Sequence, residues 1–414
     1  MSELLFLSHR IPYPPDKGDK IRSFHVLREL AKRHTVHVGT FIDDPADWQH
    51  VEALRRLCGG ETCVRPLEPR RARLRSLRGL LGDEPLSVAY YRDAQLARWV
   101  KDVGIRRPLG GVFAFSSSMC QYASIVPLAG RAPRVVDFCD VDSDKWRQYA
   151  ASHRFPLNVV YRREAALLAR LEGRCAGQFD ASLVISEAEA SLLRALAGRA
   201  RDRVRVVPNG VDTQFFDPAT SYPNPFETSV LPIVFTGAMD YQANVDGVRW
   251  FASEVLPGVR QREPRARFVI VGSNPASAVT ALAKPQETVV TGRVPDVRPY
   301  LAHAAVVVAP LRIARGVQNK VLEAMAMARP VVATENALQG IPEASQAGIC
   351  VASDPGRMAD AVCSVLAGAA AEPRGRECVR QHYSWNDHLE TVGLLFDRVV
   401  SSGADVNAAR TALA

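Results

Sequence analysis

The sequence predicts an α/β protein made of two doubly wound, parallel-sheet domains. Three observations carry that expectation. Short apolar or β-branched runs alternate with helical stretches along almost the whole chain. The alternation lapses at residues 217–232, which hold four prolines and little periodicity, and then restarts. The length of 414 residues, 47% of them hydrophobic, accommodates two or three domains with sizeable cores.

Residues 4–7 read as a first buried strand, followed by a loop at 9–19 with three prolines and Gly18. A helix over 20–33 places Ile21, Phe24, Leu27, Leu30 and Ala31 on one face. Strands are expected at 35–41, 111–115, 134–138, 181–185 and 204–207, the last stopping at Pro208-Asn209-Gly210. Helical segments fall near 46–58, 70–82, 92–103, 158–175 and 187–197. Beyond the break, strands are expected at 233–236, 267–272, 288–291, 305–309 and 330–333. Helices are expected at 245–255, from Asn319, near 355–367 and 373–381, and over 385–400. The domain expectation is 1–212, a linker at 213–231, a second domain at 232–382, a closing helix at 383–400 and a disordered tail at 401–414. In doubly wound sheets, ligands bind at the carboxyl ends of the strands.

The net charge of +8 admits three partner classes: nucleic acid, an anionic membrane surface or phosphorylated substrates. No zinc-finger, RRM or helix-turn-helix pattern appears, so nucleic acid is not expected as a partner. The eight cysteines form no CxxC pair and no His/Cys cluster with metal spacing, which suits a reducing cytoplasm. The N-terminus has an apolar run of four residues and reads as a strand rather than a signal peptide. No stretch reaches the ~20 apolar residues of a membrane helix, so a soluble or peripheral protein is expected.

The most informative stretch is 309–333, read as strand, Gly-bearing loop, short helix and strand. Asn319 is suited to capping that helix, and Lys320 and Glu323 lie three apart on it. Helix N-terminal amides with Lys320, Arg312 and Arg315 suit a phosphate group, and Gly316 allows close backbone approach. The Glu323 carboxylate suits sugar hydroxyls. The plainer alternative is a βαβ unit with solvated charges. In the first half, Asp16, Gly18, Asp19 and Arg22 crowd the first strand-to-helix loop, where they could hold acceptor or phosphate or form an ordinary polar loop. Asp140 and Asp142 follow a strand, and one could contact sugar or act as a base; capping of the next helix by Asp142 or Ser143 is the plainer alternative. Residues 70–81 form a basic helix with a leucine side, suited to anionic lipid or to solvation as an arginine face.

Taken in order, these motifs resemble the retaining GT-B glycosyltransferases of family 4. Val206-Val-Pro-Asn-Gly-Val-Asp212 is similar to the entry into their second domain, and residues 235–246 to the strand, loop and helix that open it. Residues 290–296 resemble the segment beside the base, 316–330 the donor motif, and Tyr383-Ser-Trp385 the start of the helix that crosses back to the first domain. Residues 12–22 and 136–146 resemble a narrower branch, the sugar transferases of the exosortase (PEP-CTERM) exopolysaccharide system. The resemblance implies a GT-B fold with a cleft between the domains. It implies a retaining, hexosyl-type transfer from a UDP- or GDP-linked sugar to a glycan or lipid-linked acceptor, with no metal or other cofactor. Donor binding is then expected from Gly237, Arg293, Val294, Arg312, Arg315, Gly316, Val317, Asn319, Lys320 and Glu323, with Lys320, Glu323, Asp140 and Asp142 catalytic. Three departures stand out. Arg315 occupies the position of a first motif glutamate, Met239 and Asn244 stand in a loop that often carries Arg and Lys, and Asp140 and Asp142 lie where a His is common. The first two motivate the rival expectation of an inactive nucleotide-sugar-binding or scaffold subunit. A nicotinamide oxidoreductase is the weaker rival, since no GxGxxG follows a strand.

Overall fold

The computed structural model describes residues 2–15, 18–128, 130–314, 316–345, 347–368 and 374–397. Asp16, Arg315 and the expected tail at 401–414 lie outside them. The chain divides into a first unit, residues 1–208 with 386–414, and a second unit, Asn209–Trp385.

Among the described residues the first unit holds one parallel seven-stranded sheet, with strands β1 (Glu3–Ser8), β2 (Thr35–Ile42), β3 (Gly59–Pro66), β4 (Leu109–Phe115), β5 (Arg134–Cys139), β6 (Ala181–Val184) and β7 (Val204–Val206). Their spatial order is β3-β2-β1-β4-β5-β6-β7. The second unit repeats the plan with β8 (Leu231–Thr236), β9 (Ala266–Val271), β10 (Thr288–Gly292), β11 (Val306–Ala309), β12 (Val331–Ala333) and β13 (Cys350–Val351), ordered β10-β9-β8-β11-β12-β13. Both are doubly wound α/β sheets. In each the order reverses between the first and fourth strands, β1 and β4 or β8 and β11, which creates a switch point at their carboxyl ends.

The central strands are apolar on both faces because helices cover both. β1 is buried from Leu4 to Ser8, and β11 throughout. In the second unit Phe251 and Phe268 join helix to sheet with ring centroids 4.6 Å apart. Residues 385–397 form a helix that returns the chain to the first unit. There Leu389, Val392 and Phe396 are buried, and the Phe396 ring lies where a Cβ on Gly111 would meet it at 2.6 Å.

Several elements depart from expectation, among them the strand β13 and the helix Asp142–Ser152, neither of which is among the segments expected from the sequence. β3 was not anticipated; it is an edge strand, GGETCVRP, with polar residues and no apolar run. The helix expected to end at 255 continues through a π-helical turn, Phe251–Val255, into Leu256–Arg262. Pro257, which has no N–H to donate, accounts for the widened turn. Residues 213–231, expected as a linker, fold along the second unit, where Arg376 donates to the carbonyls of Thr213 and Phe216 and to Asp217.

Candidate active site

The switch point of the second unit gathers the strongest sequence signal. β8 and β11 pair in parallel, and their carboxyl ends lead into Gly237 and into the loop before the helix Asn319–Ala326. Gly237 has φ 154°, and a Cβ there would stand 2.8 Å from Asn244 Nδ2 and 3.4 Å from Lys320 Cε. The missing side chain leaves room for both neighbours. Asn244 Nδ2 donates to Ala238 O at 2.8 Å, which fixes the amide so that Oδ1 accepts from Lys320 Nζ at 2.6 Å. The ammonium also lies 4.8 Å from the centroid of Phe235.

Burial penalises both charges on this helix. It pulls Lys320 down to about 8, against the opposing pull of Glu323. It pushes Glu323 up to about 7, against the opposing pull of Lys320. The site therefore holds an ammonium and a carboxylate whose charged forms are both short of solvation. A diphosphate would restore it for one, and ribose hydroxyls for the other. Two further buried polar atoms, Thr236 Oγ1 and Asn319 Oδ1, have no hydrogen-bond partner in the structure.

Contrary to the sequence expectation, Asn319 does not cap its helix. Gln318 takes the cap position without a side-chain cap bond, and Asn319 is the first helical residue. Gly316 adopts φ 59°, and a Cβ on Gly340 would fall 2.4 Å from Gly316 C and 2.5 Å from Val317 N. The loop thus rests directly on the backbone at Gly340, a residue that belongs to no motif. Val317 is half-buried against the core. Arg312 is not a free cation at the loop: it is forked by Asp246 at 3.0 and 2.6 Å. Met239, in the loop where cations are common, is fully buried. After β10, Arg293 is exposed and Val294 packs half-buried on the core.

At the switch point of the first unit, the structure gathers Asp19, a candidate from the sequence, with His9 and Ser116, which belong to no motif. His9 follows β1. Its Nε2 lies 3.3 Å from Asp19 Oδ2, and its Nδ1 lies 3.3 Å from Ser116 Oγ, at the end of β4. The ring stacks on Phe115 at 5.7 Å and meets Tyr91 edge-on at 5.5 Å. Arg10 bonds Asp19 at 2.6 Å and Asp43 at 2.7 Å. Burial alone would raise the Asp19 carboxyl, but the His9 hydrogen bond and the Arg10 charge outweigh it and hold it below the usual range. Only the position directly after a strand could have flagged His9. Gly18 opens the helix Gly18–Ala31 on the exposed side, with open space around its Cα.

Arg22, considered for acceptor or phosphate, lies instead in the core. It is 1% exposed, with Nε 2.7 Å from Asp137 Oδ2 and Nη1 2.8 Å from Val207 O. Asp140 is exposed, while Asp142 accepts from Ser117 Oγ at 2.8 Å. Neither caps the helix Asp142–Ser152, whose cap position is Val141. Instead Glu189 accepts from Val141 N at 2.6 Å and Glu172 from Ser143 N at 3.1 Å. Burial, assisted by the charge of Asp142, pushes Glu172 up to about 8 although Ser143 opposes it. Among the described residues no group of His, Cys, Asp and Glu is arranged to hold a metal ion, and no helix is long and apolar enough to cross a membrane.

Two family models match. A glycosyl transferase 4-like domain covers residues 21–210, and glycosyl transferases group 1 covers residues 231–368. Similar solved structures include Anabaena Alr3699/HepE in complex with UDP and glucose, at 14% identity and TM-score 0.64, spanning 96% of this chain and all of that one. Sucrose-phosphate synthase from Thermosynechococcus elongatus matches at 17% identity and TM-score 0.64, over 97% of this chain and all of its own. WaaG, a glycosyltransferase of lipopolysaccharide biosynthesis, matches at 14% identity and TM-score 0.63, over 95% of this chain and 99% of its own. Among curated proteins none matches the chain.

Proposed function

We propose, from the premise that this chain belongs to the GT-B glycosyltransferases, that it moves a hexose from a nucleotide sugar to a hydroxyl of a glycan or lipid-linked acceptor with retention at the anomeric carbon. The observation that carries this reading is the Asn244–Lys320–Glu323 constellation at the β8/β11 switch point. Lys320 and the first-turn amides of its helix meet the diphosphate, and Glu323 holds the ribose. The bond from C1 to the β-phosphate oxygen breaks with its electron pair on the diphosphate, the acceptor oxygen bonds C1, and the hydroxyl proton is released. A fixed ammonium stabilises the leaving group without a metal ion. UDP is the favoured nucleotide, since the Anabaena relative of the same fold is described with UDP and glucose. His9, oriented by Asp19, is suited to orienting the acceptor hydroxyl. Exopolysaccharide assembly in the cytoplasm is the setting suggested by residues 12–22 and 136–146.

A second reading, a nucleotide-sugar-binding subunit without turnover, is favoured by the pairing of Arg312 with Asp246 and by the burial of Met239 at a loop position where a cation is common. Release of UDP from UDP-glucose in the presence of a lipid-linked glycan extract separates the two. Release that depends on acceptor and is lost in Glu323→Ala supports transfer. Binding of UDP-glucose with no release supports the second reading.

A further inference from the structure

The charge and the exposed apolar side chains of the first unit concentrate in two stretches. Residues 69–82 contain five arginines and residues 145–163 contain Lys145 and four arginines, with no Asp or Glu in either. Together they hold ten of the chain's 52 basic residues; Glu68 and Asp144, at their edges, pair with Arg71 and Arg147, and basic residues remain in excess in both stretches.

The helix Pro69–Leu77 turns its small residues inward and its leucines outward. Ala72 and Ser76 are buried, whereas Leu74 and Leu77 are 68% and 52% exposed. In the second stretch, between the helices Asp142–Ser152 and Leu157–Gln178, Phe155 is 81% exposed and Leu157 and Val159 are 48% and 53% exposed. This turn is braced by Tyr161, whose ring lies 5.2 Å from Trp146 and 5.1 Å from His153.

The stretches are joined. Arg163 Nη2 donates to Gly79 O at 2.5 Å and also to Gly82 O, and the next residue, Glu164, accepts from the amides of Leu86 and Ser87 at 2.7 and 2.9 Å. Val159 lies one helical turn from Arg163 on the same face, so the apolar turn abuts the basic segment.

We infer that these two stretches form one docking face for an anionic lipid surface. Apolar side chains enter the headgroup boundary while the arginines meet lipid phosphates. Charge complementarity with the exposed aliphatic side chains selects this occupant: a nucleic acid could stack on Phe155 but would leave Leu74, Leu77, Leu157 and Val159 unused, and a protein partner would need an acidic and apolar patch of matching shape. The inference stands apart from the donor-site reading, since none of these residues belongs to that site.

The test is co-sedimentation of the full chain with phosphatidylcholine vesicles, with and without phosphatidylglycerol. Binding is expected only with phosphatidylglycerol, reduced at least about tenfold both by Leu74→Ser/Leu77→Ser and by Phe155→Ser/Leu157→Ser. Phe155→Trp is expected to shift its emission to the blue on binding. The thermal midpoint, unchanged in both double variants, shows that each is folded, and UDP affinity in solution reports on the donor site independently. No binding to anionic vesicles, equal binding with and without phosphatidylglycerol, or loss in only one double variant would overturn the two-stretch face.

Discussion

Asn244 holds Lys320: its amide, oriented by Ala238 O, places Oδ1 2.6 Å from the ammonium. A neutral side chain thus fixes a cation that burial has made easy to deprotonate. Asn244→Ala is expected to weaken UDP binding by about tenfold, the worth of one hydrogen bond to a charged group, while the thermal midpoint changes little. Calorimetry on the variant checks this, and wild-type affinity would remove Asn244 from the site.

The two shifted groups set a pH window. Above about 8 Lys320 loses its charge, and below about 7 Glu323 gains a proton. A nucleotide sugar is a diphosphate diester whose own charge is constant across this range. Affinity for UDP-glucose should therefore peak between the two values, with proton uptake on binding on the alkaline side and proton release on the acid side. Titrations in buffers of different ionisation enthalpy measure both, and a flat profile with no proton exchange contradicts the assignment.

Glu323 has a folded pKa above its unfolded one, so its contribution to stability is present at low pH and lost as pH rises through about 7. Glu323→Gln should then raise the thermal midpoint at pH 8, with the gain fading toward pH 4.5, while UDP affinity falls. A midpoint lowered at pH 8 would show that Glu323 is a structural residue.

Arg22 and Asp137 form a core ion pair. Asp137→Ala leaves a buried guanidinium without its counter-charge and should cost about 3–5 kcal/mol in denaturant unfolding. A cost below about 1 kcal/mol would mean that water reaches the site.

For His9, oriented by Asp19, replacement by Ala should lower transfer to acceptor by on the order of 100-fold with UDP affinity unchanged. Equal loss of UDP binding would place its effect elsewhere.

Much of the architecture was legible because central parallel strands are apolar throughout: the runs at Leu4–Leu7 and Val306–Ala309 need no tertiary information to be read. β3 was not, because an edge strand can be polar, and neither was the passage through Pro257, because a π-turn absorbs a proline that ordinarily ends a helix. Within the candidate site, the placing of Lys320 and Glu323 on one short helix was legible from their spacing. Their control by Asn244, the rest of the loop on Gly340 and the assembly of His9 with Asp19 and Ser116 depend on contacts between segments far apart in sequence. Arg22 misled for the converse reason: its partner Asp137 is 115 residues away.

The most direct test of the donor site is calorimetric titration of the protein with UDP and with GDP, alongside Lys320→Ala. The account predicts tight binding of UDP, weakened by on the order of 10- to 100-fold in the variant as a charge-assisted contact is lost. UDP affinity equal in wild type and variant, or binding of neither nucleotide, would contradict it.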